Sequence, residues 1–540
     1  MTRTRVVAMG WLLACGVSAP CQSLLWQIPA PPSTEEHDWL CTFSDHNGDG
    51  VRDVLEVVLI DAGLPTQTQA HRILSGVDGS MLWERRDIEA QRMIDGGDID
   101  GDGVHDIVMR HMGSPLAPGI ELAAWSVGGG HWLWHVIGPF AGFGDAMLGD
   151  LDLTGDGLSD FVTSSISTLG SDIFAYDSQG NLLYTIPCFA QGLAAASFAK
   201  MGDVDQDGCD DYLVGCQDLS LRGALLLVSG RLGGVIRTSY GLLPGDIIAA
   251  HASNMGDMDG DGVPDYAGFP WWSASRAMIT VFSGQTGAVI RTWPTYAESV
   301  ITGEDVDRDG VPDLVLGADF NIVPQQVYGR TLAFSGRDGS ELWRVDNVPT
   351  PPGGGAVGTT NWMWRAASLG TRAGDSYPSI AWLDRNWFVP GTSGGRIRAY
   401  GTARAGQGPI SGAPCTSTGQ APLIGVRKLG VAAANTGFRT TVAKTHANAL
   451  AALNFSLSPL PSPIDMTFLG YPGCTVYVDP IASYLRVTGV AGIDRGYAAV
   501  DLPHPLSAAT TGTAVFAQWL VIEPTNWDYA ATEMHAIQLP

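Results

Sequence analysis

Positive charge is scarce in this sequence: 30 Lys and Arg stand against 55 Asp and Glu in 540 residues, and charged side chains of both signs make up only 16%. That scarcity excludes a nucleic-acid binder held by phosphate contacts, because such binding relies on clustered cations that displace counterions. Hydrophobic content of 45% with 17 Trp excludes an acidic disordered tail, which couples high charge to low hydrophobicity. No apolar run reaches the length of about 20 residues needed for a membrane-spanning helix. An HExxH pair, a phosphate-binding P-loop and zinc-type cysteine spacing are also missing, so the usual sequence marks of metallopeptidases and nucleotide-dependent enzymes are absent.

What is present begins with Arg3 and Arg5, an apolar run over 6–13 and the small residues Gly16, Ser18 and Ala19. This is the layout of a secretory signal peptide, and it predicts export with residues 1–21 as the leader. The segment Leu12-Leu13-Ala14-Cys15-Gly16 is similar to a bacterial lipobox, which makes Cys15 a lipidation candidate and the cell surface an alternative destination. Outside the cell, disulfides are permitted among Cys41, Cys188, Cys209, Cys216, Cys415 and Cys474, with Cys21 beside the expected cut.

The scarce charge is not spread evenly. A nine-residue pattern with oxygen-bearing side chains at positions 1, 3, 5 and 9 and Gly at position 6 occurs six times. The side chains are Asp45, Asn47, Asp49 and Asp53; Asp98, Asp100, Asp102 and Asp106; Asp152, Thr154, Asp156 and Asp160. They continue with Asp203, Asp205, Asp207 and Asp211; Asp257, Asp259, Asp261 and Asp265; and Asp305, Asp307, Asp309 and Asp313. The copies start 53, 54, 51, 54 and 48 residues apart, and a decayed seventh copy over 371–379 keeps Asp375 and Pro378. These positions hold 22 of the 55 acidic side chains, so the acidity is a set of local sites. Alternating oxygens on a turning chain suit Ca²⁺, a hard cation that takes six to eight oxygen ligands. An EF-hand would need Glu at position 12, which here holds Glu56, Met109, Thr163, Val214, Gly268 and Leu316. Position 9, with a backbone carbonyl from position 7, is therefore expected to close each site, giving about six Ca²⁺ sites.

Short apolar runs follow the acid patterns, as at Ile107-Val108-Met109 and Leu314-Val315-Leu316. Several are followed by a second signature, such as Ile73-Leu74-Ser75-Gly76 then Gly79-Ser80-Met81-Leu82-Trp83, which reads as a β-hairpin. Each unit of about fifty residues is then four strands, and seven such units describe a seven-bladed β-propeller. Residues 22–402 resemble the FG-GAP or VCBS-type repeats of integrin-alpha-like propellers. That resemblance implies that the acid loops bind Ca²⁺ between the first and second strands of each blade, with ligands meeting the opposite face. The last unit lacks its Gly-x-Leu-Trp strand, whereas Ser23-Leu24-Leu25-Trp26-Gln27 has no unit of its own. Residues 23–28 are accordingly expected to complete the seventh blade, removing two sheet edges.

After a linker over 403–411, residues 412–540 alternate apolar runs with turn residues. About eight strands are expected there, including 466–469, in a small β-sandwich. Cys415 and Cys474 are its only cysteines and form the disulfide candidate. The segment around Cys474 and Trp519 resembles C-terminal domains of secreted bacterial repeat proteins, which implies display, sorting or packing on the propeller.

No catalytic set can be assembled. Gly391-Thr392-Ser393-Gly394-Gly395 fits the GxSxG pattern but lacks the strand-to-helix setting of a nucleophile elbow. His131, His251 and His446 are isolated, and Cys209 and Cys216 flank a buried-type strand. The loops between second and third strands offer Trp271, Trp272, Arg276, Phe320 and Trp387 as a ligand face for a sugar or protein. The sequence thus predicts an exported, calcium-stabilised, non-enzymatic binding or adhesion module for a glycan or protein at the cell surface. A propeller-based polysaccharide lyase or hydrolase, or a quinone-dependent dehydrogenase, is the alternative.

Overall fold

The computed structural model describes residues 23–538 apart from 29–34, 62–67, 87–89, 113–119, 140–141, 168–169, 189–192, 219–221, 271–277, 324–325, 347–362, 372–376, 385–395, 403–406, 417–420, 430–436, 470, 472, 504–513 and 523–528. The leader, Cys15, the decayed seventh loop and the GxSxG segment lie outside these residues. The protein is all-β, and no helix among the described residues is long and apolar enough to cross a membrane.

Residues 23–401 build seven four-stranded antiparallel sheets. Sheet 1 is representative: Glu35–Phe43, Asp53–Ile60, Thr68–Leu74 and Met81–Arg85 follow one another in order across the sheet. The acid pattern occupies the turn between its first and second strands, and Ser75–Gly79 makes the tight turn between its third and fourth, with Gly79 N–H donating to Ser75 O at 2.8 Å. Sheets 2 to 6 repeat this plan. Sheet 7 takes three strands from Met363–Thr371, Pro378–Asp384 and Arg396–Gly401. Its fourth strand is Ser23–Ile28, antiparallel to Arg396–Gly401 with Ser23 opposite Gly401 and Ile28 opposite Ile397.

The strand faces are apolar on both sides, because each sheet is covered on both. Seven hydrophobic clusters join consecutive sheets: Leu55, Val57 and Ile73 of sheet 1 meet Ile107 and Met109 of sheet 2, and the succession continues through sheets 3 to 6. Sheet 6 meets sheet 7 through Val315 and Trp382, and sheet 7 returns to sheet 1 through Ala367, Leu383 and Leu40. The first strands touch in the same cyclic order, that of sheet 7 lying against that of sheet 1. Outer-strand tryptophans fasten the seams. Trp26 Nε1 donates to Gly76 O at 2.9 Å, Trp134 Nε1 to Ser178 O at 3.0 Å and Trp293 Nε1 to Gly339 O at 3.1 Å, each reaching the tight turn of the next sheet. This is a physical reason for the repeated tryptophan at the end of the hairpin signature, since a buried indole needs a partner for its N–H.

Beyond 401, a six-stranded sheet that includes Leu450–Ser456 and Ala514–Ile522 faces a three-stranded sheet of Leu423–Leu429, Gly437–Ala443 and Ala498–Pro503. One core lies between them, centred on the fully buried Trp519 with Leu453, Val442 and Val500. A disulfide joins Cys415 to Cys474, while Cys41, Cys188, Cys209 and Cys216 are thiols. Residues Met466–Leu469, expected as a strand, form a 3-10 turn instead. Asp465 Oδ1 accepts from Thr467 N–H at 2.9 Å, and such local bonds compete with a ladder.

Trp26 carries the seam at which the two distant ends of the first 401 residues meet. Trp26→Ala is expected to cost roughly 3–5 kcal/mol of unfolding free energy, read as a lower denaturant midpoint. An unchanged midpoint would show that the seam does not depend on this side chain.

Candidate metal centres

The six acid loops share one hydrogen-bonded frame. The position-6 glycine has φ between 82° and 89° in all six, a left-handed conformation that side chains with a Cβ rarely adopt. That turn lets the position-1 carboxylate fold back, and Oδ2 of Asp45, Asp98, Asp152, Asp203, Asp257 and Asp305 accepts from the position-6 N–H at 2.6–3.0 Å. Position 5 accepts from the N–H of position 7 at 2.8–3.0 Å.

Position 9 differs in being buried, at 0–1% exposure in all six loops. Its Oδ2 accepts from the position-2 N–H at 2.6–3.0 Å. Its Oδ1 reaches the turn after the third strand, accepting from Gly76, Val127, Gly230, Gly284 and Gly336 N–H at 2.9–3.1 Å in five loops. One carboxylate therefore ties the acid loop, the second strand and the hairpin turn together.

Within this frame the carboxylates converge. One oxygen from each of positions 1, 3 and 9 lies within 4.8 Å of the other two in four loops: Asp98, Asp100 and Asp106; Asp203, Asp205 and Asp211; Asp257, Asp259 and Asp265; and Asp305, Asp307 and Asp313. The other two loops have Asn47 and Thr154 at position 3. These clusters can hold a metal ion, and an all-oxygen donor set favours a hard cation. Desolvation pushes the carboxyl pKa of Asp106, Asp160 and Asp265 up to about 7 and that of Asp211 to about 6. Asp53 and Asp313 move the same way for the same reason. A cation in the loop opposes that trend by favouring the ionised form. Glu56, the one acidic residue at position 12, plays no part: it is buried on the second strand and pairs with His37 across the sheet.

The sixth loop stands apart because residues beyond 401 cover it. Arg427 pairs with Asp338 and lies 3.6 Å from Asp307 Oδ2. Arg337 Nε is 3.2 Å from Asp309 Oδ2, its Nη1 donates to Ile493 O at 2.7 Å, and its guanidinium stacks 3.5 Å from the Tyr497 ring centroid. Arg308 pairs with Glu533 at 3.0 Å, and Tyr377 Oη meets His535 Nε2 at 2.6 Å. Two guanidinium groups thus already neutralise part of this loop, and sequence spacing gave no sign of them.

Other sequence candidates fare differently. Trp271, Trp272, Arg276 and Trp387 lie outside the described residues. Phe320, expected in a loop, instead continues the strand Asp313–Val323 opposite Tyr328, because this hairpin extends its ladder to Val323 and Gln326. His131 is exposed at the start of a fourth strand, and burial lowers the His251 pKa to about 4. Cys216 shares a core cluster with Cys188. On the first strands, the Arg365 guanidinium lies 4.2 Å and that of Arg92 5.7 Å from the Trp39 ring centroid, a cation–aromatic group that pattern reading missed.

Comparison with protein-family models and with curated proteins finds no match for this chain.

Positions 3 and 9 have separable duties. Asp265→Ala strands the N–H groups of Met258, Asp259 and Gly284, which now donate at 2.6–3.1 Å. At about 1–3 kcal/mol for each unsatisfied buried group, roughly 3 kcal/mol or more should be lost with or without cation. Asp100→Asn, at an exposed position, should leave metal-free stability within about 0.5 kcal/mol while weakening cation binding. Denaturant melts with and without Ca²⁺ check this, and equal losses for both variants would overturn the division.

Proposed function

We propose that the chain is an exported FG-GAP-type, seven-bladed β-propeller followed by a β-sandwich, stabilised by Ca²⁺ and acting as a non-enzymatic binding or adhesion module. The observation that carries the calcium assignment is the repeated convergence of position-1, -3 and -9 carboxylates in an all-oxygen cluster. The cyclic order of the seven inter-sheet clusters supports the propeller. Calcium here is structural: each ion offsets carboxylate repulsion and fastens the loop between two strands.

A site filled at a hundred times its Kd adds about 2.7 kcal/mol to stability. Chelation by EDTA is therefore expected to lower the melting temperature and expose the chain to protease, and added Ca²⁺ should reverse both. Unchanged melting and protease resistance would remove the calcium assignment.

The binding role rests on the aromatic loops between second and third strands, where a rigid scaffold presents variable segments. The ligand class is a glycan or a protein at the cell surface. A glycan array probed with the full chain should lose its signal on combining Trp271→Ala with Trp272→Ala. Undiminished binding by that double variant would exclude the patch.

A further inference from the structure

Three side chains of sheet 2 form a cluster of another chemical kind, away from every acid loop. His111 lies in the strand Asp106–Met112, Glu121 in Ile120–Ser126 and His135 in His131–Ile137. His111 is directly opposite Glu121, and His135 is opposite Ala123. Cross-strand partners share a face, as do residues two apart, so all three side chains project from the same side of the sheet. His111 Nε2 is 3.4 Å from Glu121 Oε2, and His135 Nδ1 is 2.7 Å from Glu121 Oε1. One nitrogen or oxygen from each lies within 4.8 Å of the other two.

The setting holds these groups in place. The Trp132 ring centroid is 4.9 Å from that of His135 and 6.4 Å from that of His111, and the two imidazoles meet edge to face at 6.1 Å. His111 is five residues along its strand from Asp106, the position-9 residue of the acid loop. At about 3.3 Å per residue this puts the cluster roughly 16 Å from the oxygen site, at the other end of the sheet.

The donor set differs from that of the acid loops in a way that selects a different ion. Two imidazole nitrogens and one carboxylate suit Zn²⁺ and its first-row neighbours, whereas Ca²⁺ takes oxygens alone. A tetrahedral Zn²⁺ with bonds of about 2.0–2.1 Å holds its ligand atoms about 3.3–3.4 Å apart, which the observed spacing reaches with small side-chain rotations. His135, 40% exposed, has room for them. We propose that His111, Glu121 and His135 form a binding site for a borderline divalent cation of the zinc class. Three protein ligands leave a fourth position for water, as in open rather than closed zinc sites.

The experiment uses untagged full-length chain, stripped with EDTA and returned to excess Ca²⁺ so that oxygen sites are filled. It is then titrated with Co²⁺, and separately with Cu²⁺ for electron paramagnetic resonance. The expected result is one equivalent bound, with a visible Co²⁺ ligand-field band and nitrogen hyperfine structure from Cu²⁺. His135→Ala and His111→Ala should each weaken binding at least tenfold, and Glu121→Gln should also weaken it, with Ca²⁺-dependent melting unaltered. His135→Ala keeps the test readable if the more enclosed His111→Ala fails to fold. Absence of nitrogen coordination, or its persistence undiminished in His135→Ala, would overturn the site.

Discussion

Most of this molecule depends on one kind of hydrogen-bonded anion: a buried aspartate that accepts N–H groups from its own loop and from a hairpin turn of the same sheet. Asp265 is the clearest instance, with Met258 and Asp259 on one oxygen and Gly284 on the other. A buried carboxylate is costly unless its oxygens are satisfied. Here the satisfaction comes from backbone groups that would themselves be orphaned. Acid loop, second strand and hairpin are in this way over-determined relative to one another, and the converging carboxylates of positions 1 and 3 inherit their placement from that frame.

Such a device explains how a chain with so little charge tolerates so lopsided a balance. Its carboxylates are held where repulsion is greatest, and desolvation at position 9 adds to the strain. The sixth loop relieves it with two arginines, Arg337 and Arg427, and with the cover of the C-terminal strands. The other loops present their position-3 side chains or neighbouring backbone more openly to solvent, as at Asp100. Six sites that look equivalent in sequence thus differ in their electrostatic surroundings.

What could be read from the sequence was local. The acid pattern, the alternation of apolar runs and the Gly-containing turns are short-range signals, and they mark where strands such as Asp106–Met112 and Glu341–Asp346 begin. What could not be read depends on register and tertiary approach. His111, Glu121 and His135 are ten and fourteen residues apart in sequence, and only the pairing of three strands makes them neighbours. Arg427 reaches Asp307 across 120 residues of chain. Glu56 looks like a ligand by position and proves to be a buried partner of His37, because strand alternation turns it away from the loop. Phe320 and Met466–Leu469 show the same limit at element boundaries, where extended ladders and side-chain turns override short-range propensity.

The composite seventh sheet sets an order of events in time. Ser23 is among the first residues of the described chain to leave the ribosome, and its partner Gly401 follows 378 residues later. Until then the inner edge of Arg396–Gly401 does not exist, the first strand has nothing to pair with, and the apolar faces of sheets 1 and 7 are uncovered. Contacts of such long sequence separation form slowly, since loop closure must precede any gain from them. The early strand therefore spends the whole of synthesis as an exposed apolar segment that must be kept from pairing elsewhere. For a chain assembled in this way, the last step of folding is also the first moment at which it has no open seam.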